Sequence, residues 1–169
     1  QPVTEAVEPL FHRVDWLVFV ITAFVVMVGY YFTLAPDLTL EDSGELAVGS
    51  MYAGVPHPPG YPVWTLYTWL FTKLIPFSNM AWRVALSSAV AGALSCGLIG
   101  MMVSRGVRSM FGIFDSFKEM PEDTGRAISI VCGYVAGMMM AFNGFMWSQA
   151  VIVEVYTLSV LTLVLQMIY

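Results

Sequence analysis

Long uncharged runs divide the chain and predict its main elements. The first lies between Asp15 and Asp37, two more follow Arg83 and Arg126, and a fourth apolar stretch follows Glu154. A helix needs about 20 consecutive apolar residues to cross a bilayer. The pattern therefore predicts an all-α, polytopic membrane protein with about four spans. The predicted spans are residues 16–35, 82–104, 127–147 and 155–169.

The segment between the first two spans, residues 36–80, has a different pattern. Five of the nine prolines lie in its 56–76 stretch, and proline interrupts a continuous helix. Two short helices fit between the interruptions, at residues 43–53 and 63–75. Because both are too short to cross a bilayer, we expect them to lie at its interface.

The basic residues predict the orientation of the chain, because Lys and Arg concentrate in cytoplasmic loops near span ends. Five of the seven lie on the side where the first span begins, and two lie on the other side. The five are Arg13, Arg105, Arg108, Lys118 and Arg126, and the two are Lys73 and Arg83. We therefore expect the loop 105–126 to be cytoplasmic. The loop 36–80 and the turn before Glu154 then face outward.

Composition narrows the class of protein. Hydrophobic residues make up 58% of the 169 residues and charged residues only 11%, whereas soluble domains carry about 25% charged residues. Soluble and disordered proteins are thereby excluded. The net charge is −5 and no basic tract occurs, so nucleic-acid binding has no electrostatic basis. The start at Gln1 and the end at Tyr169, inside an apolar stretch, suggest a piece of a longer protein.

An acidic cluster at residues 41–45 follows the first span directly. Its carboxylates include Asp42 and Glu45, on the predicted outer side, where a lipid-linked substrate would present its head group. Spacing alone favours another role. Asp42 followed three residues later by Glu45 is typical of a capping box, which binds the free amides at a helix start.

The motif at residues 57–62, His-Pro-Pro-Gly-Tyr-Pro, predicts a rigid turn that carries His57. An imidazole there can bind a phosphate oxygen, position a base, or ligate a metal together with Asp42 and Glu45. The alternative is a histidine that only hydrogen-bonds to backbone. No cofactor is implied, and a divalent metal has no support from a local ligand pattern such as His-Glu-x-x-His.

Two further charges stand at predicted span ends. Glu154 interrupts the otherwise uncharged stretch 127–169. Such a carboxylate either faces a cavity or lies at the headgroup level and caps the next helix. Arg83 is either a snorkelling anchor or the cation that meets a phosphate. The residues alone do not decide between these roles.

Four motifs in a fixed order resemble one family. They lie at residues 42–45, 54–62, 81–84, and 147–156. Their sequences are Asp-Ser-Gly-Glu, Gly-Val-Pro-His-Pro-Pro-Gly-Tyr-Pro, Ala-Trp-Arg-Val, and Trp-Ser followed by Glu-Val-Tyr. Together they resemble the membrane proteins of domain-of-unknown-function family 2723, which are similar to protein O-mannosyltransferases of the GT-C class.

The resemblance implies a membrane glycosyltransferase. Such an enzyme would transfer a mannose-like sugar from a polyprenyl-phosphate donor to a hydroxyl acceptor, on protein Ser/Thr or on a glycan. Asp42 matches the family's catalytic acidic residue, a general base for the acceptor hydroxyl, and Glu45 is assigned with it. The motif positions implied for substrate binding are His57, Tyr61, Arg83, Trp147, Glu154 and Tyr156. The implied location is a bacterial inner membrane, with the active face toward the periplasm or exterior.

Two other functions stay open from the residues. A transporter or flippase would place ionisable groups near mid-span, and the first three predicted spans contain none. A structural membrane module would use the motif Gly133-x-x-x-Gly137 as a helix-packing face and the loop 36–80 as a docking surface.

Overall fold

The computed structural model describes residues 9–39, 42–58, 60–114 and 120–169. These residues form seven α-helices and no strand. The helices are α1 (Arg13–Thr33), α2 (Ser43–Tyr52), α3 (Pro62–Leu74), α4 (Met80–Ile113), α5 (Glu122–Ala141), α6 (Gly144–Ala150) and α7 (Tyr156–Ile168). The predicted all-α fold, with two short helices in the loop 36–80, is confirmed. Glu41, Pro59 and Lys118, used in the sequence analysis, lie outside the described residues.

Three helices, α1, α4 and α5, are long and apolar enough to cross a membrane. The predicted third span is divided, because α5 ends at Ala141 and Asn143 begins α6 by accepting a hydrogen bond from the Met146 amide (2.9 Å). The predicted fourth span corresponds to the 13-residue helix α7. Helix α7 is apolar but shorter than the about 20 residues of a crossing helix. The chain is a helical membrane protein.

Helix α4 is the centre of the bundle. It contacts every other helix of the described chain, and 67% of its apolar window is buried, against 22% for α1 and for α5. Small side chains make this possible, because they allow helix backbones to approach closely in lipid. The four-residue spacing of Ser88, Gly92, Cys96 and Gly100 predicts such a contact face, and all four residues are buried.

Helices α4 and α5 meet at a pair of glycines. A Cβ atom added at Gly133 would lie 2.5 Å from the Gly100 carbonyl oxygen. One added at Gly137 would lie 2.8 Å from the Cys96 carbonyl oxygen. Backbone atoms cannot move aside as a flexible side chain would, so α5 needs glycine at both positions.

We expect Gly133→Ala to force α4 and α5 apart and to lower the free energy of unfolding by about 1–3 kcal/mol, as overpacking does. The matched control is Gly106→Ala on α4, because no atom lies within 4 Å of a Cβ added there. Unfolding by SDS of the full-length protein in mixed micelles measures both changes. Equal free energies of unfolding for the two variants would contradict the close crossing of α4 and α5.

Contacts between α1 and α4, which run antiparallel, define two ends of the bundle. Tyr30, near the end of α1, lies 3.1 Å from a Cβ added at Gly92, whereas Asp15, at its start, accepts a hydrogen bond from Ser104 (2.8 Å). The loop 36–80 and the connection between α6 and α7 lie at the first of these ends, here called the loop end. The start of α1, the end of α4 and the start of α5 form the opposite end.

Candidate active site

The polar loop at the loop end folds back along α2. Ala53 follows α2 in the left-handed conformation (φ +50°), and its N–H bonds to the Gly49 carbonyl oxygen. The chain therefore reverses, and Pro56 packs 3.5 Å from a Cβ added at Gly49. Glu45 lies one helical turn before Gly49 on the same face of α2. This geometry brings His57 beside Glu45.

The predicted tight turn after His57 is present. The Gly60 amide donates to the His57 carbonyl oxygen (2.9 Å). Gly60 has a φ of +75°, and a Cβ there would lie 2.9 Å from the Val55 side chain, so the turn requires glycine. Pro62 then begins α3, and the Tyr61 ring stands edge-on to the imidazole with 6.0 Å between ring centres.

Glu45, His57 and Asp42 form a connected cluster, here called the acid–histidine cluster. Both carboxylate oxygens of Glu45 accept from His57, one from its backbone N–H and the other from Nδ1 (3.0 Å). On the other side of the ring, Nε2 lies 3.9 Å from an Asp42 carboxylate oxygen. A neutral imidazole that donates through Nδ1–H carries its lone pair on Nε2. In this tautomer the acceptor nitrogen faces Asp42.

The capping-box interpretation of Asp42 and Glu45 is wrong. Asp42 does occupy the N-cap position of α2, but its side chain makes no cap hydrogen bond. Glu45 binds His57 rather than the amide at the helix start. The Asp42 carboxylate remains 64% exposed, so it is open to a ligand.

The pKa of the Glu45 carboxyl is lowered from its ordinary value of 4.5, chiefly by the hydrogen bond from the His57 side chain. The folded-state pKa lies below the unfolded one, so this contact stabilises the loop fully above about pH 4.5 and is lost as the pH falls through the lowered value. We expect the His57 Nδ1–H signal to show a hydrogen bond from neutral pH down to this range and to lose it below. NMR of protein labelled with ¹⁵N-histidine measures this, with His57→Gln to assign the signal.

Glu45→Gln is the matched variant, since an amide keeps an acceptor oxygen but no titrating charge. In this variant the His57 signal should show no such transition. A transition that persists in Glu45→Gln would assign it to another group.

Glu154 lies in the connection between α6 and α7 and is 8% exposed. Its backbone carbonyl oxygen accepts from the Trp64 indole N–H (3.0 Å) and from the Ser88 hydroxyl (3.1 Å). One carboxylate oxygen accepts from the Val155 amide (2.7 Å). Glu154 thus joins α3, α4 and the start of α7.

Trp147 and Tyr156 occupy the helices on either side of Glu154. The Trp147 indole N–H donates to the Thr33 hydroxyl (3.0 Å), which fastens α6 to the end of α1. Tyr156 begins α7, is 49% exposed, and its ring centre lies 6.2 Å from that of Phe145. Among the described residues, neither aromatic side chain contacts the acid–histidine cluster.

Arg83 holds the loop between α3 and α4. Its guanidinium donates to the carbonyl oxygens of Thr72 (3.2 Å), Phe77 (3.0 Å) and Ser78 (3.0 Å). An arginine side chain has five N–H donors, so three of them are engaged with backbone. Arg83 thus fixes the loop by bonding to its backbone, a contact that differs from the membrane anchor and the phosphate ligand suggested by its position in the sequence.

A groove of about 350 Å³ begins beside Tyr61 and runs along α7. Its wall includes Trp64, Val155 and Leu158, with Ser159 as a polar group. Tyr61 contacts both the groove and the His57 ring, so the groove adjoins the acid–histidine cluster.

Within the described residues, no three Asp, Glu, His or Cys side chains are grouped so that they could hold a metal ion. In the acid–histidine cluster, Glu45 is already bonded to Nδ1 of His57, and Asp42 stands farther away on the other side of the ring. The three side chains therefore do not point at one shared position.

A buried ion pair at the opposite end escaped the sequence analysis. Asp15 is fully buried and accepts from both terminal nitrogens of Arg108 (3.0 and 2.6 Å), from the Ser104 hydroxyl and from the His12 amide. Asp15 and Arg108 were treated only as charges that end an uncharged run and face the cytoplasm. The available signal was that these two opposite charges lie near the same predicted side of the membrane, at the start of α1 and near the end of α4.

Comparison with known proteins identifies the family. A family profile described as the protein O-mannosyl-transferase TMEM260 N-terminal domain matches residues 42–169. The protein O-mannosyl-transferase TMEM260 of Mus musculus is 32% identical over 127 residues, which cover 75% of this chain and 15% of that protein. The protein of the same name from Dictyostelium discoideum is 26% identical over 132 residues, which cover 77% of this chain and 14% of that protein. No solved structure matches the chain.

The matched region begins at Asp42 and includes every residue predicted for the site. The match confirms the predicted resemblance to O-mannosyltransferase-like membrane proteins, although this chain corresponds to only a small part of the length of each relative. The chain belongs to the family of the protein O-mannosyl-transferase TMEM260 N-terminal domain.

Proposed function

We propose that the chain forms the catalytic end of a GT-C-type membrane glycosyltransferase, as in family 2723, active as part of a longer protein. The reaction is transfer of a mannose-like sugar from a polyprenyl phosphate to a Ser or Thr hydroxyl of a protein. The names of the two relatives, which describe protein O-mannosyl transfer, support the acceptor class. The observation that carries the proposal is the exposed Asp42 carboxylate beside a histidine that Glu45 holds in place.

Asp42 is the general base in this proposal. It takes the proton of the acceptor hydroxyl while the hydroxyl oxygen attacks the anomeric carbon. The bond from that carbon to the phosphate oxygen breaks, and polyprenyl phosphate leaves with the electron pair. A single displacement inverts the anomeric carbon.

His57 is the positioning residue. Its Nε2 lone pair faces Asp42 at 3.9 Å, and such a distance can shorten when substrate closes the site. The proton that Asp42 accepts then passes to Nε2 of His57, whose imidazolium Glu45 stabilises through Nδ1–H, and His57 releases it to water after the products leave. Asp42 is thereby restored for the next cycle.

The groove beside Tyr61 is the proposed path of the donor's lipid chain. It is mostly apolar, it adjoins the acid–histidine cluster, and burial of prenyl carbons there is favourable. Tyr156, exposed at the start of α7, is proposed to contact the acceptor. We assign Trp147, Glu154 and Arg83 to holding the helices around the site, given their bonds to other elements.

The membrane side follows from the distribution of basic residues. The opposite end carries Arg13, Arg105, Arg108 and Arg126, and the positive-inside rule supports a cytoplasmic location for it. The acid–histidine cluster then faces the exterior or a lumen, which in a bacterium is the periplasmic side of the inner membrane.

The test is sugar transfer to an acceptor protein by the full-length protein in nanodiscs. We expect transfer from polyprenyl-phosphate mannose and none from a nucleotide-linked mannose. Leu158→Trp should fill the groove and raise the KM for the lipid donor while kcat changes little. Leu165→Trp is the matched control, because Leu165 is exposed on α7 outside the groove.

Transfer from the nucleotide sugar alone would overturn the lipid-linked donor. No transfer together with movement of a lipid-linked sugar across the bilayer would favour the flippase alternative. Neither activity would favour a structural module.

A further inference from the structure

A large cavity lies at the opposite end of the bundle, away from the acid–histidine cluster. It measures about 870 Å³ and lies between the start of α1, the end of α4 and the start of α5. The residues that matter for its chemistry are Arg13, Arg108, Arg126, Phe11, Trp16 and Phe111. The proposed glycosyl transfer uses none of them.

Three guanidinium groups, those of Arg13, Arg108 and Arg126, line the polar part of the cavity. Arg108 bonds to Asp15 with one N–H of each terminal nitrogen, which leaves three of its five donors for a ligand. Asp15 is fully buried beneath it, so its carboxylate does not face the cavity. Arg126 is paired with two exposed carboxylates, that of Glu122 (2.9 Å), which also lines the cavity, and that of Asp123 (3.7 Å). Arg13 has no ion-pair partner among the described residues.

The apolar part of the cavity continues onto the outer surface of α1. Trp16 lines the cavity and is 51% exposed. Val20 and Phe24 follow at four-residue intervals, which places them on the same face of the helix, and both are exposed. An apolar surface on a membrane-crossing helix is the surface that contacts lipid chains.

We propose that this cavity binds an anionic phospholipid. The phosphate lies among the guanidinium groups of Arg13, Arg108 and Arg126, and one acyl chain runs along Trp16 and Phe24. Basic pockets between membrane helices attract such head groups. The continuous apolar surface favours a lipid over a free phosphate, because only the lipid has an acyl chain that can pack against this surface. The proposal is independent of the glycosyl transfer proposed above.

The experiment uses the full-length protein in nanodiscs of phosphatidylcholine that contain a small fraction of phosphatidylglycerol with dibrominated acyl chains. Bromine quenches tryptophan fluorescence on contact, and the difference between the protein and its Trp16→Phe variant isolates Trp16. We expect stronger quenching of Trp16 than with the same fraction of dibrominated phosphatidylcholine. Excess inorganic phosphate should not reduce it.

Arg13→Gln and Arg126→Gln should each weaken the preference for phosphatidylglycerol about fivefold. Lys73→Gln is the matched control, because Lys73 is an exposed cation at the end of α3 and should leave the preference unchanged. Equal quenching by the two brominated lipids would overturn the proposal, since it would indicate ordinary boundary lipid. Loss of the preference in excess inorganic phosphate would overturn it too, in favour of a site for the head group alone.

Discussion

Replacement of Asp42 by Asn is expected to reduce sugar transfer by about 100-fold or more, because a positioned general base contributes at least that factor. The carboxamide has almost the same shape but cannot accept the proton of the attacking hydroxyl. The loss should therefore fall on kcat, with little change in the KM for the donor. Transfer by the full-length protein in nanodiscs, at matched expression, measures both constants.

The control for this variant is Asp37→Asn. Asp37 is also an exposed carboxylate in the loop after α1, and it bonds only to the neighbouring Leu38 amide among the described contacts. Transfer should stay unchanged in this variant. Because the Asp42 side chain makes no cap hydrogen bond, Asp42→Asn should unfold like the wild type. Normal transfer by Asp42→Asn would remove Asp42 from the reaction.

Replacement of Asp15 by Asn is expected to lower the free energy of unfolding by about 3–5 kcal/mol, the cost of leaving one partner of a buried ion pair alone. Asp15 is fully buried and receives both terminal nitrogens of Arg108. An Asn amide group would also direct N–H donors at the guanidinium. SDS-induced unfolding of the full-length protein in mixed micelles measures the loss.

The double variant Asp15→Leu/Arg108→Met separates charge from packing. An ion pair replaced by apolar residues of similar volume often leaves stability unchanged, so this variant should regain most of what Asp15→Asn loses. Asp37→Asn again serves as the control, since its carboxylate is exposed. If Asp15→Asn is as stable as that control, the ion pair does not hold α1 to α4.

The sequence pattern predicted the short helices of the loop closely, because residues at or next to each helix end set its limits. Proline at Pro62 begins α3, and the prolines before it cannot continue α2. The predicted limits of 43–53 and 63–75 differ from α2 (Ser43–Tyr52) and α3 (Pro62–Leu74) by one residue at each differing end. The more polar residues 143–149 predicted a turn near the end of the third span, but the predicted limit at residue 147 lies beyond the break at Asn143, because a single Asn cap in an apolar run is a weak signal.

The side-chain roles were harder to predict, since spacing shows which partners are possible and not which are chosen. Asp42 and Glu45 satisfy the spacing of a capping box, yet Glu45 bonds to His57, twelve residues later. Arg83 donates to three loop carbonyl oxygens, a role that its position in the sequence did not indicate. Both sets of contacts join residues that lie outside the local motif.

The sequence alone therefore determined the class of protein and the order of its helices, because hydropathy and proline act within a few residues of where they stand. It also determined the motifs by which the chain resembles its family. The tertiary structure decided which charges meet. Asp15 bonds to Arg108, 93 residues away, and Trp64 bonds to Glu154, 90 residues away. Such pairs depend on how the helices pack around α4, and packing is a property of the whole chain rather than of any segment.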